Sequence, residues 1–267
     1  MSTLPAFDLF APGAAPAAVL VACRLTGLML IAPVFSAKVL PVMMRAALIV
    51  LFTVLVQPVA MASMHGIPAI TPVTALGETL VGFAVGLGAA VLAGAAEAAG
   101  DLIAIQIGLS GATLLDPMSH TSGPVLSNFF SMFAITVMLA LNIHLGMVEA
   151  IAASLRAVPV GSVMDLTRGI SAMLSLAGTL FAAGLRFAAP VIATVMIGNA
   201  ALAVLSRAAP QLNMLSVAFP LQIGLGLFAI GAAIPFIATY MGNWPTQYDA
   251  QLSTLFGAFA GTATRAF

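Results

Sequence analysis

The sequence predicts an all-α integral membrane protein with about six long apolar helices, several of them kinked or broken. Hydrophobic residues make up 62% of the chain and charged residues only 6%, and the mean hydropathy is +1.16. Because about a quarter of the residues in soluble domains are charged, this composition is typical of proteins that bury helices in lipid. Uncharged stretches long enough to cross a bilayer recur along the chain.

Charge and cysteine content exclude several classes of function. Eight basic residues balance eight acidic ones, so the chain offers no basic face for nucleic acid. The single cysteine, Cys23, excludes an internal disulfide and a cysteine-based metal cluster. His65, His120 and His144 have no metal-ligand spacing, and the sequence has no phosphate-binding loop and no HExxH motif. We therefore expect no metal and no cofactor.

Two apolar segments near the N-terminus predict the first two spans. The first runs from about Ala14 to Val34 and carries Arg24 near its middle. An arginine there costs about 2.5 to 3.5 kcal/mol on insertion scales unless it finds a partner or reaches the interface. The second span runs from Ala46 to about Met64, and we expect Pro58 to end or kink its last turn.

The third predicted span, Val73 to Ala96, contains Gly82 and Gly86 at the GxxxG spacing that allows close helix packing. Just beyond it, Glu97 and Asp101 are four residues apart and therefore lie on one helical face. Like charges at this spacing repel by roughly 0.2 to 0.5 kcal/mol unless they are paired or protonated. We expect a cationic partner for them.

A broken element follows in the middle of the chain. Leu102 to Leu115 is an uncharged run of 14 residues, which spans about 21 Å as a helix against a hydrocarbon core of about 30 Å. Asp116-Pro117 and then Gly123-Pro124 are typical of a helix stop and restart. The backbone of Ser119–Gly123 would go unpaired in lipid and must face protein or water. The sequence thus predicts a short helix and a loop that line an enclosed passage.

Two long helices are predicted next. One begins at Pro124 and continues to Leu155. The other, about Gly169 to Leu205, is too long for a simple span and contains Arg186, with Pro190 four residues later. We expect a kink at that proline.

The C-terminal part of the chain predicts one more apolar segment and a tail. The segment from Ala208 to Tyr248 has 41 uncharged residues, interrupted by Pro220 and Pro235. Gln247 to Phe267 is polar on one side and predicts an amphipathic tail. Its apolar residues at helical spacing are Leu252, Leu255, Phe256 and Phe259.

The positive-inside rule gives conflicting orientations. If Lys38 and Arg45 are cytoplasmic, the loop with Arg156 and Arg168 falls on the same side only when Leu102 to Leu115 crosses the membrane. Two explanations remain open. Either too few basic residues are present to set the orientation, or the chain is not an ordinary lipid-embedded bundle and some of its apolar surface meets other subunits.

Three ordered blocks between about Arg24 and Gly226 resemble the FliR family, the flagellar export proteins with relatives in virulence injectisomes. The first block, RLTGLMLIAPVFSAKVLPVMMRAALIVLFTVLVQP, has the matching residues Arg24, Gly27, Pro33, Phe35, Pro41, Arg45 and Pro58. The second, IQIGLSGATLLDPMSHTSGPVLSNF, has Gly108, Ala112, Asp116, Pro117, Ser119, Pro124, Val125 and Leu126. The third, RFAAPVIATVMIGNAALAVLSRAAPQLNMLSVAFPLQIGLGL, has Arg186, Pro190, Arg207, Pro210, Gln211, Asn213, Phe219 and Pro220. Two departures are Ile143, where the family usually has Gly, and Gln222, where it usually has Lys.

The resemblance implies a non-enzymatic subunit of the bacterial inner membrane and the flagellar basal body. Such a subunit forms the export pore with FliP-like and FliQ-like subunits, and unfolded flagellar proteins pass through that pore. The resemblance also implies that Gly108 to Gly123 plugs the closed pore. The residues carried over for this role are Gly108, Leu109, Ser110, Leu114, Leu115, Asp116, Pro117 and Met118.

On this interpretation the whole chain, 1–267, is one helical export-gate domain. Its parts are N-terminal hairpins (1–98), the short helix and plug loop (99–124), kinked helices (124–245) and the amphipathic tail (246–267).

Two other functions fit parts of the sequence. Gly108–Gly111 matches the GxSG motif of rhomboid intramembrane proteases, in which Ser110 would work with His144. So short a match arises easily in a chain with 24 glycines, and a small residue such as Ser110 also serves close helix packing. Broken helices and buried charges are typical of secondary transporters as well, but the chain has no convincing internal repeat.

The charged residues expected to be buried in the membrane are Arg24, Glu97, Asp101 and Arg186. An ion pair between one of the two arginines and one of the two acids, within or between subunits, is favoured over a proton relay. The reason is that no histidine lies beside them in the sequence.

Overall fold

The structure is a computed structural model that describes residues 12–36, 40–64, 66–109, 125–208 and 214–261. In these ranges the regular secondary structure is entirely α-helical. The helices are α1 (Ala14–Ile31), α2 (Val42–Ser63), α3 (Pro72–Gln106), α4 (Val125–Ala140), α5 (Ile143–Ala157), α6 (Leu166–Ala208), α7 (Met214–Gly242) and α8 (Trp244–Phe259).

Five helical segments are long and apolar enough to cross a membrane: α1, α2, α3, α6 and the Pro220–Gly242 part of α7. The bent pair α4 and α5 makes a sixth if it forms one broken span. The predicted all-α membrane class, with about six long apolar helices, is therefore confirmed.

α3 is longer than the sequence analysis predicts. It runs without interruption from Pro72 to Gln106, so the helix expected to begin at Leu102 is the last part of α3 and not a separate element. That expectation was wrong because Glu97 and Asp101 interrupt the apolar pattern without interrupting the helix, and their alanine-rich surroundings favour helix formation. The remainder of the predicted short helix, from residue 110 onward, lies outside the described residues.

The single helix predicted from Pro124 to Leu155 was also wrong. α4 ends at Ala140 and α5 begins at Ile143, with Asn142 between them at φ 57°. Asparagine adopts this left-handed conformation more readily than other residues with a side chain. The apolar pattern continues through the break, so Asn142 is the main feature of the sequence that indicates this break.

Beyond the first helical turn, prolines lie inside three of the described helices: Pro58 in α2, Pro190 in α6, and Pro220 and Pro235 in α7. α2 continues to Ser63, so Pro58 does not end it. Apolar helices of membrane proteins tolerate proline where neighbouring groups satisfy the freed carbonyl. The kink expected at Pro190 stays a prediction.

The chain divides into two compact units, each assembled from separate stretches of sequence. Unit 1 contains the described residues of Met1–Val91, Met138–Gly178 and Pro245–Phe267. Unit 2 contains those of Leu92–Val137 and Thr179–Trp244. The division into the four sequence segments given above stays a prediction.

Glycines bring α1 and α3 together in unit 1. A Cβ at Gly82 would overlap the backbone of Arg24, and a Cβ at Gly27 would overlap the backbone of Thr79. A Cβ at Gly86 would overlap the side chain of Ile31 and lie 3.1 Å from the carbonyl oxygen of Leu28. The close packing predicted for Gly82 and Gly86 is confirmed, since the two helix backbones approach each other where side chains are absent.

The C-terminal helix α8 packs within unit 1 through one apolar face. The residues predicted to form this face are all buried: Leu252, Leu255, Phe256 and Phe259. The ring of Phe259 occupies the space that a side chain at Gly169 would need. The hydroxyl of Tyr248 donates a 3.1 Å hydrogen bond to the carbonyl oxygen of Val85, and burial raises the pKa of Tyr248 above its usual value. The amphipathic character of the tail is thus confirmed as far as Phe259.

In unit 2 the C-terminal part of α3 contacts both α4 and α6. Gly100 lies against Ser127 of α4, and Gly184 of α6 lies against Ala98. Phe187 of α6 makes edge-to-face contacts with one ring on α4 and another on α7. Small residues on α3 and aromatic rings around them therefore form the core of this unit.

Candidate functional site

Arg24 lies at the centre of a buried hydrogen-bond cluster in unit 1. Its Nε and Nη2 contact Oε2 of Glu78 at 2.7 Å and 2.6 Å. Its Nη1 donates to Oγ of Ser154, and its Nη2 donates to the carbonyl oxygen of Val158, both at 2.9 Å. Neither Arg24 nor Glu78 exposes any side-chain surface. The guanidinium therefore finds one charged and two neutral acceptors without any contact with lipid or water.

The second carboxylate oxygen of Glu78 binds the turn that follows α5. Oε1 accepts a 2.9 Å hydrogen bond from the backbone N–H of Gly161, which adopts φ 72° and lies against Pro68. Buried charges cost several kcal/mol unless they are paired and hydrogen-bonded, and here both oxygens have donors. The cluster is a structural ion pair that ties α1, α3 and α5 to one turn.

The partner of Arg24 differs from the one that the sequence analysis expected. Arg24 pairs with Glu78 instead of Glu97 or Asp101. Glu78 was missed because it lies near the start of a predicted span, where a carboxylate is usually solvated. The available signal was Gly82, one helical turn later, whose missing side chain brings α3 onto α1 beside Arg24.

Glu97 and Asp101 both interact with serine hydroxyls of α4 in unit 2. Ser127 Oγ donates to Oδ1 of Asp101, and Ser131 Oγ donates to Oε2 of Glu97 at 3.3 Å. Glu97 is exposed and Asp101 is half-buried. Within the described part of the chain neither acid has a basic partner, so hydroxyl groups take the place that a cation was expected to fill.

Arg186 is exposed on α6, and the described residues supply no acid to it. Of the four charged residues expected to be buried, the structure buries Arg24 fully and Asp101 partly. The other two, Glu97 and Arg186, lie on the surface of the isolated chain.

The described part of the predicted plug begins where α3 ends. Gly108, at φ 82°, and Leu109 form a turn in which the Leu109 N–H donates to the carbonyl oxygen of Ala104 at 3.0 Å. Ile107, just before the turn, fills the space beside Gly226 of α7. The turn therefore starts from a fixed point in unit 2. The remaining plug residues, Ser110, Leu114, Leu115, Asp116, Pro117 and Met118, lie outside the described residues.

His144 lies in the first turn of α5, and its Nδ1 is buried without a hydrogen-bond partner among the described residues. Ser110, its partner in the rhomboid-like hypothesis, lies outside those residues. In the part of the chain that the structure describes, no group of three or more His, Cys, Asp or Glu side chains could hold a metal ion.

One of the two family departures has a structural partner. Gln222 on α7 donates a 2.7 Å hydrogen bond from Nε2 to Oδ1 of Asn199 on α6. A neutral amide pair thus joins these two helices where a lysine would place a charge between them.

Comparison with known proteins matches most of the chain to one family. The family model described as Bacterial export proteins, family 1, matches residues 15–247. The flagellar biosynthetic protein FliR of Escherichia coli (strain K12) is 30% identical over 220 residues, which cover 81% of this chain and 84% of that protein. FliR of Pectobacterium carotovorum subsp. carotovorum is 31% identical over 218 residues, with the same coverage of 81% and 84%. FliR of Bacillus subtilis (strain 168) is 25% identical over 251 residues, which cover 88% of this chain and 91% of that protein.

Proposed function

Because the chain belongs to the family of bacterial export proteins that includes flagellar biosynthetic protein FliR, we propose that it is a membrane subunit of the flagellar type III export gate. In this role it forms the export pore with FliP-like and FliQ-like subunits in the inner membrane, at the flagellar basal body. Unfolded flagellar proteins pass through the pore, and Gly108 to Gly123 plugs it when it is closed. The observation that carries the proposal is the family match over residues 15–247.

The length of α6 supports a place in the wall of an assembly. α6 has 43 residues, so it is about 65 Å long against a hydrocarbon core of about 30 Å. Membrane helices tilt by up to about 40°, which would still leave α6 extending about 50 Å along the membrane normal. Lipid alone therefore cannot cover its apolar surface, and neighbouring subunits can.

The end of α3 supports a plug that is attached to a rigid base. Ile107 is fully buried against Gly226, and the positive φ of Gly108 turns the chain away from the helix axis one residue later. A pore plug requires a fixed attachment, and Ile107 supplies one in unit 2 directly before the proposed plug segment begins.

The buried charge cluster supports a structural role for Arg24 and Glu78 within the proposed subunit. The side chains of Arg24 and Glu78 are engaged by each other and by Ser154, Val158 and Gly161. A fully satisfied ion pair needs no exchange of protons with a substrate. The energy for export and the selection of substrates are then left to other components.

A deletion strain and a co-purification experiment test the proposal together. Removal of the gene should abolish motility and flagellin secretion, and the wild-type gene should restore both. The affinity-tagged chain should co-purify with FliP and FliQ of the same organism. A motile deletion strain, or a chain that purifies as a stable particle without FliP and FliQ, would contradict the proposal and favour a transporter.

A further inference from the structure

α6 has two different faces in unit 2. One face is buried and contains Gly184, Phe187, Val191 and Val195. The other side is exposed, and we call it the outer face of α6; it consists of Leu185, Arg186, Met196, Ile197 and Val204. Ile197 and Val204 expose 73% and 69% of their surface. At 100° per residue Arg186 lies about 200° around the helix from Gly184, which contacts α3. Arg186 therefore lies opposite the helix packing of its own unit.

An arginine at this position is costly in lipid. Arg186 is about 30 Å from either end of α6, which is much farther than an arginine side chain reaches when it extends to the membrane interface. An unpaired arginine in the hydrocarbon core is therefore strongly unfavourable. If Arg186 instead lies at the level of the lipid headgroups, about half of α6 lies outside the hydrocarbon with its apolar face exposed. In both positions the outer face is stabilised only when another protein surface covers it.

Charge complementarity indicates what that protein carries. Arg186 has no acidic partner among the described residues, and the two acids on α3 in the same unit already accept hydrogen bonds from Ser127 and Ser131. The residues around Arg186 on the outer face are apolar. The matching surface is therefore an apolar helix with one carboxylate at the height of Arg186.

We propose that the outer face of α6 docks an apolar helix of a neighbouring export-gate subunit, and that this helix supplies a carboxylate to Arg186. The inference rests on the proposed function, because it takes the neighbour to be FliP or FliQ. It adds the surface of contact and the chemistry that selects the partner.

Photo-crosslinking in the assembled complex tests the surface. A photoreactive phenylalanine replaces Ile197 on the outer face, and in a matched control it replaces Val163, which is fully exposed in the turn before α6. We expect the first variant to crosslink to FliP or FliQ, identified by mass spectrometry, and the second not to do so. Crosslinks from position 197 to a second copy of this chain, to Ser110–Pro124 of the same chain, or only to lipid would overturn the proposal.

Charge reversal tests the ion pair. Arg186→Glu should lower the amount of the crosslinked subunit that co-purifies by at least about tenfold. The reason is that the new glutamate would face the carboxylate of the neighbouring helix in a buried contact. Arg186→Lys should keep most of it. Replacing the facing acid in the captured helix with Lys should restore the Arg186→Glu complex. The control is Arg156→Glu, an exposed arginine in the last turn of α5, which should leave the complex unchanged.

The result for Arg186→Leu separates this inference from the proposed function. If the wild-type chain fails to co-purify with FliP and FliQ, the proposed function fails. If the wild-type complex forms and Arg186→Leu forms it equally well, only the ion pair fails. Because Arg186 is exposed in the isolated chain, the variants should fold normally, and an unchanged protease digestion pattern checks this.

Discussion

Arg24 and Glu78 form an ion pair in which each side chain compensates the buried charge of the other. Loss of one partner of a buried pair leaves an uncompensated charge and costs about 3 to 5 kcal/mol. We therefore expect Arg24→Leu and Glu78→Gln each to lower the thermal unfolding temperature of the detergent-solubilised protein markedly. The double variant Arg24→Met with Glu78→Met should be less destabilised than the sum of the single changes, because it leaves no charge buried. Single variants as stable as the wild type would contradict a structural role for the pair.

Gly82 tests the packing that places this pair. A Cβ at Gly82 would overlap the carbonyl oxygen of Arg24, so Gly82→Ala should push α1 and α3 apart and cost about 1 to 3 kcal/mol of stability. The matched control is Gly146→Ala in α5, where an added Cβ meets no atom within 4 Å. That change should be neutral or stabilise by up to about 1 kcal/mol, because alanine favours helix. The same thermal assay compares them, and equal effects at the two positions would contradict the interpretation.

Asp101 distinguishes a structural acid from a proton carrier. The Asp101→Asn variant keeps an oxygen that accepts the hydrogen bond from Ser127, but it cannot exchange a proton. We expect flagellin secretion to stay at the wild-type level at every imposed proton gradient. Secretion that falls in Asp101→Asn and recovers in Asp101→Glu would show that the carboxylate itself is required, and would support a relay.

At the scale of helices, apolar periodicity predicts where a helix exists better than where it ends. It predicts that α1, α2 and the amphipathic α8 exist, but α2 begins at Val42, directly after Pro41, and not at Ala46. It fails at α3, where Glu97 and Asp101 suggest a boundary that the backbone does not have.

The same limit applies to the candidate site. Composition predicts that Arg24 needs a partner, but the identity of Glu78 depends on a contact between residues 54 positions apart. That contact is set by how Gly27 and Gly82 let two helices approach. Local sequence patterns do not contain this information. Arg186 is the complementary case, because none of the described residues of this chain supplies an acid to it.

Asn142 offers a test at the break between α4 and α5. A left-handed backbone costs residues other than glycine about 1 to 2 kcal/mol, and asparagine tolerates it better than most. Asn142→Gly should therefore keep the stability of the protein within a few tenths of a kcal/mol. Asn142→Val should lose about 1 to 2 kcal/mol in thermal unfolding and reduce assembly with FliP, since a β-branched residue resists φ 57°. A stable, fully assembling valine variant would show that the break does not depend on this conformation.

At the scale of the whole molecule, the two longest apolar helices have more residues than a single crossing of the bilayer needs. α3 has 35 residues and α6 has 43, whereas about 20 residues suffice to cross the hydrocarbon core. Of the two explanations left open for the conflicting orientations, this excess surface favours coverage by other subunits, because a chain covered in that way is not bound to place each loop on alternate sides of lipid. In the function proposed above, neighbouring subunits cover this surface, and closure of the pore depends on the segment that the chain holds inside the assembly.

Removal of the plug segment tests that dependence directly. Deletion of Ser110 to Ser122 should leave the complex with FliP and FliQ largely intact, because α3 is fixed in unit 2 by Ile107 against Gly226, before the deleted residues begin. The closed pore should become leaky to small ions, which conductance of the purified complex in planar bilayers measures. A second variant, in which the same residues are replaced by a Gly/Ser linker of equal length, controls for a shortened connection between α3 and α4. If the linker variant conducts as the deletion does, the lost side chains seal the pore. If both variants stay as tight as the wild type, the segment is not the plug, even though the chain remains a gate subunit.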